Sequence, residues 1–123
     1  MKYVILIWHN PQARELWRDL TAEQRSAGFA AYGALVEDLQ ASGELVVSEA
    51  LADPALAKRV IVRDGEIITT DGPFAEVKEH LAGFFLIECD SIDQAVAYAA
   101  RIPEAAHMPM EVRPVLDRLS LDM

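Results

Sequence analysis

Asp71 stands directly before Gly72-Pro73 at a strand end, where a partly buried carboxylate can act as a general acid or base. The same string is turn chemistry: an Asp side chain there accepts from the next backbone N–H groups and shapes the bend, and the two roles are compatible. His9 closes the apolar run Tyr3–Trp8 on the side of Tyr3, Ile5 and Ile7. If that side faces a second chain, the imidazole sits at the mouth of the space between them, as a proton shuttle near neutral pH. At a plain strand end it would instead bond a loop carbonyl. Arg113 shares a strand face with Glu111, so it can hold a carboxylate of a ligand or form a structural ion pair. Glu88 follows Phe84 and Leu86 on one strand face and, if buried, needs a partner such as Arg113. Phe74 could wall a pocket gated by the mixed-charge run Glu76, Lys78 and Glu79, which otherwise reads as a solvated face. Trp8, Trp17, Phe29 and Tyr32 read by spacing as core or interface.

The remaining reactive types carry less. His80 falls in an expected loop beside Lys78-Glu79 and His107 in another, and the three histidines show no local pair at metal-ligand spacing. No metal or cofactor is therefore expected. Cys89 ends an apolar strand with no cation adjoining it, which is a packing position. The sequence contains no P-loop, no dinucleotide-binding glycine pattern and no nucleophile elbow.

These residues sit in one domain, 1–123, of 13.6 kDa with ordinary globular composition, 52% hydrophobic and 25% charged. Its 20 acids against 11 bases give a formal charge of -9, which argues against nucleic-acid and anionic-membrane binding. A lone cysteine fits a reducing, cytoplasmic setting. The longest apolar runs, Tyr3–Trp8 and Leu81–Ile87, are far short of the ~20 residues of a membrane span. The first run reads as a strand rather than a signal peptide, because His9-Asn10-Pro11 ends it early.

Along the chain, that strand is followed by a short helix over Gln12–Asp19 and a longer one opened by the capping box Thr21–Gln24. The second helix carries Phe29, Tyr32, Leu35, Val36 and Leu39 on one face and stops at Gly43. Leu45–Ser48 is a strand, and Arg59–Arg63 and Glu66–Thr70 form a hairpin around Asp64-Gly65. Gly83–Cys89 is a strand, Ser91–Gln94 a second capping box, and Met110–Val115 the last strand. Hairpin apart, the order is the α+β, ferredoxin-like βαββαβ pattern, with the first and third core strands central and both helices on one face.

Both central strands are apolar on both faces: Tyr3, Ile5 and Ile7 against Val4, Leu6 and Trp8, and Phe85 and Ile87 against Phe84 and Leu86. Two helices cover only one face, so a second copy of the chain is the simplest cover for the other. The hairpin could fold over it instead, but Arg59, Arg63, Asp64 and Glu66 give it a polar pattern.

The string Asp71-Gly72-Pro73-Phe74-Ala75-Glu76-Val77-Lys78-Glu79 resembles the DGPF branch of the YCII-related family, with Val77 where threonine is usual. The resemblance extends through Ser42–Leu45, Gly83–Glu88, Ala99–Pro103 and Glu111–Val115, nearly the whole chain. It implies a homodimeric α/β-barrel of ferredoxin-like subunits in the bacterial cytoplasm, and for some members a link to extracytoplasmic-function sigma factors. A His–Asp pair proposed in the wider family, associated in one relative with dehydrochlorination of an aromatic ring, aligns with Tyr32 and Gly43 here. Both functional groups are therefore missing.

Two functions follow as expectations. One is a cofactor-independent small-molecule enzyme with a pocket between the sheets of the dimer, using Asp71 and His9 for proton transfer. Arg113 would orient an anionic substrate there, and Phe74, Tyr32 and Glu88 would line the site. The other is a non-catalytic ligand-binding or regulatory accessory protein, tied to a sigma factor.

Overall fold

A computed structural model of the chain describes residues 1–72 and 78–116. Strand β1 (Lys2–His9) is built from the β-branched and aromatic run of the N-terminus. Asn10 ends it and starts α1 (Pro11–Asp19): its side chain accepts from the Ala13 N–H at 2.8 Å, and Pro11 takes the first turn, where no amide donor is needed. Helix α2 (Ala22–Ala41) opens on the reciprocal Thr21–Gln24 capping box. It ends at Gly43, whose φ of 76° is the left-handed conformation of a helix stop.

Strand β2 (Leu45–Ala50) leads into a 3₁₀ turn, Pro54–Leu56, capped by Asp53. The hairpin of β3 (Lys58–Arg63) and β4 (Glu66–Asp71) turns at Asp64 and Gly65, with φ of 52° and 79°. Two positive φ angles are what a tight type I′ turn requires. Strand β5 (His80–Glu88), α3 (Ile92–Ala99) and β6 (Glu111–Pro114) complete the order, with a 3₁₀ turn at Pro103–Ala106 before β6. At α3, Ser91 accepts from the Gln94 N–H as expected. The Gln94 side chain, however, accepts from the Asp90 amide rather than from Ser91, so the box closes one residue early.

The main sheet is antiparallel in the order β2-β5-β1-β6, so β1 and β5 are its central strands. Leu35 and Leu39 of α2, Ala95 and Ala99 of α3, and Ile102 pack on Tyr3, Ile5, Ile7, Phe85 and Ile87. This is a ferredoxin-like α+β fold carrying a hairpin insertion. Among the described residues no helix is long and apolar enough to cross a membrane.

The face of Tyr3, Ile5 and Ile7 is therefore the helix side of the sheet, so His9 lies on the helix side and not on the side left for a second chain. The physical reason is the fit of Leu35 and Leu39 onto Ile5, Phe85 and Ile87, all fully buried or nearly so. On the other side Val4, Leu6, Trp8, Phe84 and Leu86 are half-buried. The hairpin does not fold over them. It forms its own two-stranded sheet, in which Val60, Ile61, Val62, Ile67 and Ile68 are exposed between charged ends.

Candidate functional site

Strand β5 begins at His80, three residues before the expected Gly83, and this extension builds the site. Ile7 pairs with Gly83, but Trp8 pairs with Leu81 and His9 with His80, so one residue of β5 bulges at this point. Without the bulge, strict alternation from Phe85 and Gly83 would put Leu81, not His80, on the helix side. With it, His80 shares a face with His9, and both line a cavity of about 730 Å³. That volume suits a small organic molecule.

The cavity lies on the helix side, between β5, the end of β2 with its following loop, and the α1–α2 pair. Gly83 sets the approach of the sheet wall: a Cβ there would lie 2.9 Å from the Glu49 carbonyl oxygen of β2. Flat apolar surface comes from two aromatic pairs, Trp17 with Phe29 at 6.2 Å between ring centroids and Tyr32 parallel to Phe85 at 6.5 Å. Phe29, read by spacing as core or interface, is largely exposed, so it is not in the core and forms the rim.

Glu104, in the Pro103–Ala106 turn, is the one buried charged residue among those described, 5% exposed. Its Oε2 lies 3.2 Å from His9 Nε2 and accepts the Tyr32 hydroxyl at 2.5 Å. Its Oε1 is buried and has no hydrogen-bond partner among the described residues. Burial first, then the Glu104 hydrogen bond and charge, pushes the Tyr32 phenol well above its ordinary range. Tyr32 thus remains a proton-bearing donor to the carboxylate. The contact orients the His9 ring with Nε2 towards the Glu104 carboxyl group and Nδ1 on the opposite side of the ring. Glu104 also borders a second cavity of about 310 Å³ between α1, α2 and the turn, which His107 lines as well. Among the described residues no group of three or more His, Cys, Asp or Glu side chains is arranged to hold a metal ion.

Of the residues singled out in the sequence, His9 and Tyr32 are brought together here. Asp71 is not brought to them. It ends β4 with its side chain 82% exposed and bonds Lys58 Nζ at 2.7 Å, so it pairs across the hairpin. Glu88 is exposed at the far end of β5, opposite Lys2 rather than beside Arg113. Arg113 is exposed on β6 and donates to Glu111, which also accepts from the Trp8 indole at 3.1 Å. Phe74 and Glu76 lie outside the described residues. Cys89 is buried, and burial raises its thiol above the ordinary value. Glu104 and Arg14 were not singled out in the sequence, and His80, expected in a solvated loop, is instead the first residue of β5 and lines the cavity. The signal for Arg14 is its spacing from Trp17 and Arg18, and for Glu104 it is an acid set between Ile102-Pro103 and Ala105-Ala106.

Residues 1–118 match the YCII-related domain. The chain belongs to the YCII-related family. An uncharacterised protein of Rhizobium meliloti (strain 1021) is 36% identical to it over 110 residues, covering 88% of this chain and 79% of the relative. In this YCII-related protein Tyr32, on α2, reaches the cavity. Gly43 ends α2 about three turns further on and is not among the lining residues. The imidazole and carboxylate that meet in the cavity come from β1 and from the turn after α3.

Proposed function

We propose that this YCII-related protein is a cofactor-independent enzyme that moves a proton on a small molecule bound in the His9–Tyr32–Glu104 cavity. The single observation that carries this reading is Glu104: a buried carboxylate, one oxygen shared by an imidazole and a phenol, at the wall of a cavity of ligand size. A buried charge is costly unless it is paired and hydrogen-bonded, and functional sites are where such costs are commonly met. In this reading His9 Nδ1 takes a proton from the substrate, Glu104 stabilises the resulting imidazolium, and Tyr32 fixes the carboxylate. Asp71 has no part in that step. The open sheet face supports a homodimer in which a second copy covers Val4, Leu6, Trp8, Phe84 and Leu86.

The test is solvent deuterium exchange. Incubated in heavy water with a panel of small carbonyl compounds bearing acidic C–H bonds, the protein exchanges at least one of them, as followed by proton NMR. His9→Gln, with its fold intact, slows that exchange about 100-fold or more, the size expected of a general base. Binding without exchange anywhere in the panel would leave a ligand carrier and overturn the acid–base reading.

A further inference from the structure

Helix α1 presents two cations to the same cavity. Arg14 and Arg18 are one helical turn apart, both line it, and Trp17 lies between them on the same wall. Arg14 is half-buried. In a chain of charge -9, neither guanidinium has a hydrogen-bond or ion-pair partner among the described residues, whereas Arg101 is held by Asp38 and Arg113 by Glu111. The acids of the cavity are differently placed. Glu104 is engaged by His9 and Tyr32, Asp53 caps the 3₁₀ turn through the Ala55 amide, and Glu49 is exposed on the β2 wall.

A half-buried arginine with no counter-charge among the described residues is a site in want of an anion, and its planar fork of donors fits a carboxylate or phosphate. Beside it, Trp17 with Phe29 and Tyr32 with Phe85 offer flat apolar walls suited to a planar body. We infer that the cavity takes a small organic anion with a flat, apolar body, its charged head held by Arg14 with Arg18 at the mouth. This deepens the reading of the cavity as the substrate site and rests on it. The head group is on α1, not at Arg113.

Binding can be measured without any reaction. The probes are cinnamate, phenyl phosphate and the neutral cinnamyl alcohol, titrated by calorimetry or by ligand-observed NMR. The expected result is that at least one anion binds about 10-fold or more tightly than the alcohol, the size of a charge-assisted hydrogen bond. Which anion wins identifies the head group. Arg14→Gln removes that preference while leaving alcohol binding unchanged, Arg14→Lys keeps part of it, and the exposed Arg18→Gln weakens it less. Equal binding of anions and alcohol, or a preference that survives Arg14→Gln, overturns the anion site while leaving the cavity as a binding site. No binding of any probe to folded protein overturns both.

Discussion

Among the described residues Glu104 has one oxygen with two partners and one with none, so its environment is balanced on two contacts. Tyr32→Phe removes the closer donor and changes little else in volume. The expected cost is about 1–3 kcal/mol in urea denaturation, the penalty for leaving a buried acceptor less satisfied. The same residue sets a pH dependence. The Tyr32 phenol is raised above its ordinary 10.0 in the folded protein, by burial first and then by Glu104. In the unfolded chain it ionises near the ordinary value, so only the folded state keeps the proton above that pH. Its contribution to stability is complete below about pH 10 and declines as the pH rises through the window above. Denaturation midpoints measured across about pH 8 to 11 should fall at the alkaline end, and Tyr32→Phe should flatten that fall. Tyr98, raised chiefly by its hydrogen bond to Glu44, supplies a further share that the variant leaves in place. An alkaline limb of unchanged slope in Tyr32→Phe would contradict the Tyr32–Glu104 bond.

The β2–β5 seam depends on Gly83. Gly83→Ala would place a Cβ 2.9 Å from the Glu49 carbonyl, a backbone atom that cannot swing aside, so the strands must separate. The expected loss is about 1–3 kcal/mol, as for other overpacked sites, with amide shifts confined to β2, β5 and the cavity wall in a nitrogen–proton correlation spectrum. A variant as stable as the parent would mean the seam yields freely. What made this architecture readable in advance is that its signals are local. The Thr21–Gln24 box, Asp64-Gly65 and the helix stop at Gly43 each act within a few residues, and each forms where the residue pattern places it. The site is different. Glu104 lies 95 residues from His9 and 72 from Tyr32, and only the packed fold brings them together. His80 was hidden because the strand was expected to begin only at Gly83, leaving His80 in a loop, and the bulge then turns it to the face of His9. Asp71 looked reactive because an acid before Gly-Pro reads alike as base or turn former; its exposure beside Lys58 favours the turn.

The molecule as a whole has helices on one face of a sheet whose central strands are apolar on both. Val4, Leu6, Trp8, Phe84 and Leu86 remain half-buried on the other face, and the hairpin carries its own exposed valines and isoleucines away from it. Burying five such side chains against a like surface is worth on the order of 10 kcal/mol gross, before the cost of association. The charge of -9 per chain opposes pairing through long-range repulsion, which salt screens beyond about 10 Å at 0.1 M. The two effects differ in range, so they can be separated. Sedimentation velocity at micromolar concentration should show a dimer that tightens as salt is raised from low to physiological strength. Leu6→Glu together with Phe84→Glu should give a folded monomer, because the helix-side core of Ile5, Leu35, Leu39, Phe85 and Ile87 is untouched. A monomeric parent would show that the greasy face is tolerated in water. A dimer that survives the double substitution would move the interface to the exposed hairpin, leaving the His9–Tyr32–Glu104 cavity, which lies within one chain, where it is.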